Sequence, residues 1–143
     1  MSDSENPTTN ASETQAVADA YASLNRGDVA GFVQSFDQDI ERIEFLGSPA
    51  GGTYRGLEAV RAHVERGRGT WAEGRCRPKR FFVAGERIAV FVHVHVRLHG
   101  ATEWLEGDVG DVFTFRNGKV IQFRSFLRTQ DALSFVGIEA SDG

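Results

Sequence analysis

The 143-residue sequence predicts an α+β domain, in which a strongly curved, mostly antiparallel sheet forms a cone over three N-terminal helices and encloses a pocket. Three observations predict it. Helical periodicity is gathered in the first half of the chain and strand periodicity in the second. Between Arg87 and Leu98 the side chains alternate strictly: Ile88, Val90, Val92, Val94, Val96 and Leu98 fall on one parity, and Phe91, His93, His95 and Arg97 on the other. Asn117-Gly118 then separates two further alternating runs, and both residues tolerate the positive φ that a tight hairpin needs.

Residues 1–11 are polar and read as a disordered tail. Ser12 with Gln15 makes a capping box, so a first helix is expected to start there, with Ala16, Val17, Ala20, Tyr21 and Leu24 on its buried stripe. Gly27 ends it, and Asp28 can cap a second helix that reaches Phe36. Asp37-Gln38-Asp39 reads as a turn and Ile40 to Leu46 as a short strand. After the Gly/Ser/Pro loop 47–52, a third helix is expected from Leu57 to Arg66, with Leu57, Val60 and Val64 inward and Gly67 and Gly69 breaking it. A strand from Arg75 to Ala84 precedes the three long strands. Thr129 to Val136 reads as a closing helix stopped by Gly137, and 139–143 as a second tail. One domain, 12–138, accounts for the rest.

Composition narrows the function. A net charge of −4 argues against nucleic acid as a main partner. The basic residues Arg66, Arg68, Arg75, Arg77, Lys79 and Arg80 fit a solvated edge strand, where like charges also block aggregation. Cys76 is the single cysteine, which rules out an intrachain disulfide framework. No apolar run reaches membrane-spanning length, the first ten residues do not read as a signal peptide, and a cytoplasmic location is the default expectation.

The chemistry-bearing residues lie on the strands. Asp111 shares its parity with Val109, Phe113 and Phe115, and an aspartate among apolar neighbours must be paired or carry a raised pKa. His93 and His95 lie two apart on one strand face. They could chelate a metal, but spacing dictates no third ligand, and no metal is expected. A His–Asp dyad with Asp111 across the hairpin is the reading with chemical content, since a carboxylate raises imidazole basicity.

Three stretches carry a family resemblance: Tyr21-Ala-Ser-Leu-Asn-Arg-Gly-Asp28 with Phe32 and Phe36, Tyr54-Arg-Gly-Leu-Glu-Ala-Val-Arg61, and Asp111-Val-Phe-Thr-Phe-Arg-Asn-Gly-Lys-Val-Ile121. With the element order, residues 13–137 resemble the nuclear transport factor 2-like superfamily, and within it the SnoaL-like and ketosteroid-isomerase-like group. That superfamily holds isomerases, polyketide cyclases, dehydratases, epoxide hydrolases and non-catalytic binders. The resemblance implies Tyr21 and a protonated Asp111 as oxyanion donors and Glu44 as base, the Glu being one methylene longer than the isomerases' Asp. It implies no cofactor. For the epoxide-hydrolase alternative, Arg97 with Asp108 or Asp111 would supply the acid–arginine–acid set.

Both faces of the Arg87–Leu98 strand cannot meet solvent. Either the valine face packs on the helices, or the histidine face lines the cavity and a second subunit covers the valines. The resemblance favours the second arrangement and with it a homodimer through the sheet. On that arrangement the candidate catalytic residues are Tyr21, Glu44, Asp111, His93 and His95, and Phe36, Trp71, Phe91, Phe113, Ser125 and Leu127 wall the pocket. The expected activity is cofactor-independent acid–base chemistry on a small hydrophobic carbonyl compound, as isomerisation or aldol-type cyclisation. The alternatives are a non-catalytic binder of such a ligand, or a dehydratase or epoxide hydrolase.

Overall fold

The computed structural model describes residues 2–45, 47–48 and 51–138, with side chains from residue 11 onward. The elements are α1 (Ser2–Asn25), α2 (Val29–Phe32), β1 (Phe36–Ile43), β2 (Thr53–Arg55), α3 (Leu57–Gly69), β3 (Trp71–Ala84), β4 (Arg87–Leu98), β5 (Leu105–Arg116), β6 (Lys119–Phe126) and α4 (Thr129–Phe135). The six strands form one curved, unclosed sheet in the order β2-β1-β6-β5-β4-β3. The antiparallel meander β3 to β6 is as expected, and β1 joins it by a parallel pairing with β6.

Several boundaries differ from the sequence reading, each for a physical reason. α1 begins ten residues ahead of Ser12 and takes in the stretch read as a tail. A helix that already propagates adds one hydrogen bond per residue fixed, so the local cap is passed through. The polar trio Asp37–Asp39 is not a turn. It lies within β1 as an irregularity between Phe36 and Glu41, where the Asp37 carboxylate accepts from the Asp39 amide at 2.9 Å. α2 is correspondingly shorter than expected, capped by Asp28 accepting from the Gly31 amide at 2.9 Å. Gly67 and Gly69 do not break α3, because Arg68 between them donates to the Leu24 and Asn25 carbonyls at 2.7 and 3.0 Å. That contact ties the last turn of α3 to the end of α1 and outweighs glycine's poor propensity. β3 starts at Trp71 rather than Arg75: its register with β4 shifts between Trp71 and Glu73, and Gly74, at φ 119°, continues the strand where it passes too close to the His95 carbonyl for any Cβ. The expected tail at 139–143 lies outside the described residues, as does the expected strand end at Leu46.

The faces of the sheet overturn the favoured arrangement. Ile88, Val90 and Val92 pack with Val17, Tyr21, Phe32 and Val60 of the helices and with Phe113 and Phe115 of β5. The valine stripe is therefore the core of a single chain and is not available to cover a second one. α4 lies on the opposite side of the sheet, where Ala132 and Leu133 pack against Ala89 and Val112, flanked by Phe82, Phe91 and Phe126. Gly110 permits that approach, since a Cβ there would come within 2.6 Å of the Ala132 methyl carbon. The sheet thus has helices α1 to α3 over its inner face and α4 on its outer face.

Candidate active site

A cavity of about 610 Å³ lies between the helices and the inner face of the sheet. This is within the range of small-ligand sites, and most of its wall is apolar, including Leu24, Phe32, Val64, Val92, Val94 and Val109. Six polar residues of its wall, from α1, α3, β1 and the residue after it, β5 and β6, form one connected network.

Asp111 is the centre of the first half. It is 6% exposed, and its two oxygens accept from Tyr21 Oη and, at 2.6 Å, from Ser125 Oγ. Tyr21 reaches it because the inward stripe of α1 leans on Phe32 and Phe113, with ring centroids 6.1 and 5.9 Å away in edge-on contact. Burial pushes the Asp111 carboxyl above the usual carboxylate range, against the opposing pull of Arg42 and the two hydroxyl donors. Burial, reinforced by the negative charge of Asp111, also pushes the Tyr21 hydroxyl well above the ordinary phenol value, so it remains a proton donor. Cys76, on the same cavity wall, is held protonated by burial, its thiol pushed up to about 12.

The second half starts from Arg42, whose parity on β1 is inward with Ile40. Its Nη1 donates to Ser125 Oγ at 2.9 Å and to the Ile43 and Phe123 carbonyls, while its guanidinium lies 3.9 Å over the Phe123 ring. Its Nη2 pairs with Glu44 Oε2 at 3.2 Å, both side chains being nearly buried. Glu44 Oε2 is also 2.6 Å from His63 Nε2, on the inward stripe of α3 with Val60 and Val64. The imidazole stacks on Tyr54 of β2 at 3.9 Å between centroids. A buried cation thus stands between two carboxylates, directly to Glu44 and through Ser125 to Asp111. A buried imidazole completes the line, and such a set can hold, donate and accept protons beside an apolar ligand.

Residues 17–123 match the SnoaL-like domain family. The chain belongs to that family. No curated protein matches it in sequence. Solved structures similar to this SnoaL-like chain share its fold. An NTF2-like protein of unknown function from Burkholderia pseudomallei is 24% identical, with a TM-score of 0.73 over 88% of this chain and 98% of that one. An NTF2-like protein from Burkholderia thailandensis is 26% identical, with a TM-score of 0.72 over 87% and 95%. TerC, co-crystallised with polyporic acid, is 22% identical, with a TM-score of 0.71 over 87% and 98%.

In this SnoaL-like domain the residues singled out from sequence separate into three groups. Tyr21, Glu44, Asp111, Trp71, Ser125 and Leu127 all line the cavity. Phe36 and Phe113 lie just behind the wall, in the aromatic cluster with Phe32 and Phe123 that holds Tyr21 and Arg42 in place. Phe91, His93 and His95 are on the other face of the sheet. Phe91 packs on Phe82, His93 contacts Asp108 at 2.7 Å and Glu106 at 3.2 Å, and His95 stacks on Trp104. The dyad of a histidine with Asp111 is excluded by register: Asp111 stands opposite Val90, and His93 stands opposite Asp108. Arg97 pairs with Glu73 at 2.9 Å and takes no part in an acid–arginine–acid set with Asp111.

Sequence reasoning missed Arg42 and His63. Both carried a signal. Arg42 shares the parity of Ile40, and His63 falls three residues after Val60 on a stripe already read as inward. A titratable residue on a buried stripe is the pattern that would have found them.

Proposed function

We propose that this SnoaL-like protein is a cofactor-independent acid–base enzyme acting on a small hydrophobic carbonyl compound, by isomerisation or aldol-type cyclisation. The observation that supports the reading is the unbroken run Tyr21–Asp111–Ser125–Arg42–Glu44–His63 along a mostly apolar cavity. A ligand carbonyl that displaces the Tyr21–Asp111 hydrogen bond meets two proton donors, the neutral carboxyl favoured by burial and the Tyr21 hydroxyl. When a proton leaves the carbon beside that carbonyl, charge builds on its oxygen, and fixed donors in a dry site stabilise it. His63 takes the proton and Glu44 stabilises the imidazolium that forms. Arg42 offsets the charge of Glu44 and, through Ser125, orients the Asp111 carboxyl. The co-crystallisation of TerC with polyporic acid supports an organic ligand for this fold.

Solvent-deuterium incorporation next to the carbonyl of a panel of cyclic ketones and β-diketones, read by mass spectrometry, tests the proposal. Exchange above the buffer rate is expected for wild type, much of it retained in Asp111→Asn and none in Asp111→Ala. Equal exchange in Asp111→Ala and wild type would sink the assignment. Thermal stabilisation by these compounds with no exchange would identify a non-catalytic binder instead.

A second reading rests on Arg42, because a buried arginine between two carboxylates is also a set that can activate water for epoxide opening. Incorporation of ¹⁸O from water into an epoxide-derived diol would favour it. A homodimer through the sheet, if formed, uses the outer face that carries Phe91, His93 and Trp104, and light scattering on the purified protein checks it.

A further inference from the structure

The apolar side chains that remain exposed are not scattered. Among the described residues four large ones are exposed, and two of them, Leu105 at 54% and Leu127 at 58%, line the cavity. Leu105 opens β5 and Leu127 follows the last residue of β6, so both come from the end of the sheet at which β5 begins and β6 finishes. The polar network lies on the buried part of the wall, at Tyr21, Asp111, Arg42 and His63. The cavity therefore grades from proton donors and acceptors to bare aliphatic surface that water covers when no ligand is present. Aliphatic surface held open beside a ligand site gains free energy only when something apolar covers it.

We infer that the ligand is an elongated amphiphile, with its carbonyl end at Tyr21 and Asp111 and an uncharged apolar tail that passes out of the cavity across Leu105 and Leu127. The identity of the carbonyl end rests on the acid–base reading above; the tail rests on the two leucines alone. The tail makes Leu105 and Leu127 specificity-determining residues, since they contact the tail and not the reacting carbonyl.

The test is a homologous series of 4-alkylcyclohexanones with short, medium and long straight chains, titrated against full-length protein by fluorescence of Trp71 and Trp104 and by calorimetry. Affinity is expected to rise about fourfold per methylene while the chain still contacts apolar surface, including chains that extend past the rim. In Leu105→Ser with Leu127→Ser, the short-chain affinity should be kept and the long-chain advantage cut about tenfold. Both positions are exposed, so the variant is expected to fold, and its thermal midpoint controls for that. Affinity that levels off with chains too short to reach the rim, or an equal chain-length effect in the double variant, would overturn the inference. Deuterium exchange in the same samples keeps the two proposals apart. A chain-length effect without exchange removes the catalytic reading and leaves the tail, whereas exchange without a chain-length effect does the reverse.

Discussion

Val90 and Asp111 stand directly opposite each other in the β4–β5 ladder. Residues opposite one another across a ladder share a face. Because Asp111 is buried beside Tyr21, that pairing puts the whole valine parity of β4 against the cavity and the core, and sends His93 and His95 outward. The site is therefore built from α1, α3, β1, β5 and β6, and no part of its proton chemistry comes from the histidine face of β4.

If that division holds, His93→Ala and His95→Ala should leave ketone deuterium exchange at the wild-type rate. Their stability cost should be small, about 0–1 kcal/mol for the His93 contacts with Asp108 and Glu106. A large loss of exchange in either variant would return the active site to the outer face.

His63→Ala is expected to lower exchange by roughly 10²–10⁴-fold, the usual range for loss of a positioned acid–base group. The far-UV spectrum should be unchanged, because α3 keeps Val60 and the Arg68 ties to α1. Unaltered exchange would remove His63 from the mechanism.

Arg42→Met leaves Glu44 and Asp111 as two buried acids without their cation. Breaking such a set from one side costs about 3–5 kcal/mol. Adding Glu44→Gln to Arg42→Met should recover part of the loss. Urea midpoints of the two single variants and the double variant measure the coupling, and simple additivity would contradict it.

Asp111 also predicts a pH dependence. Its folded-state pKa is raised by burial, so the folded protein holds that proton more tightly than the unfolded chain does. The resulting stability is fully present below the unfolded value, near 3.8, and is lost as pH rises from there through the raised folded value. The stability of wild type relative to Asp111→Asn should therefore fall as pH increases across that window. Urea unfolding at a series of pH values checks the sign, and a difference that grows with pH would be the wrong one.

Gly110→Val places a branched side chain where even a Cβ meets the Ala132 methyl carbon at 2.6 Å. Forcing α4 off the sheet should cost roughly 1–3 kcal/mol, with little change in the cavity on the opposite face. A thermal midpoint that does not move would mean that α4 contributes no packing there.

The fold was legible because it depends on local regularities. Alternation from Arg87 to Leu98, the Asn117-Gly118 turn and the Val17–Tyr21–Leu24 stripe report period and breaks, and these determine which elements form and in what order. The candidate site was legible where a polar residue broke an apolar parity, as at Asp111. Periodicity also says that Phe91, His93 and His95 share one side of a strand, but both sides of that strand are apolar enough to be buried. Which side faced the helices was decided by strand register and by α4, which covers part of the outer face around Ala89 and Phe91. The joining of Arg42, Glu44 and His63 to Asp111 was decided by the parallel pairing of β1 with β6, which sets Arg42 opposite Phe123 and beside Ser125. A sequence states the side-chain period of each element by itself. Bringing residues of distant elements within hydrogen-bonding distance depends on how the elements pair, and here only the tertiary structure decided that.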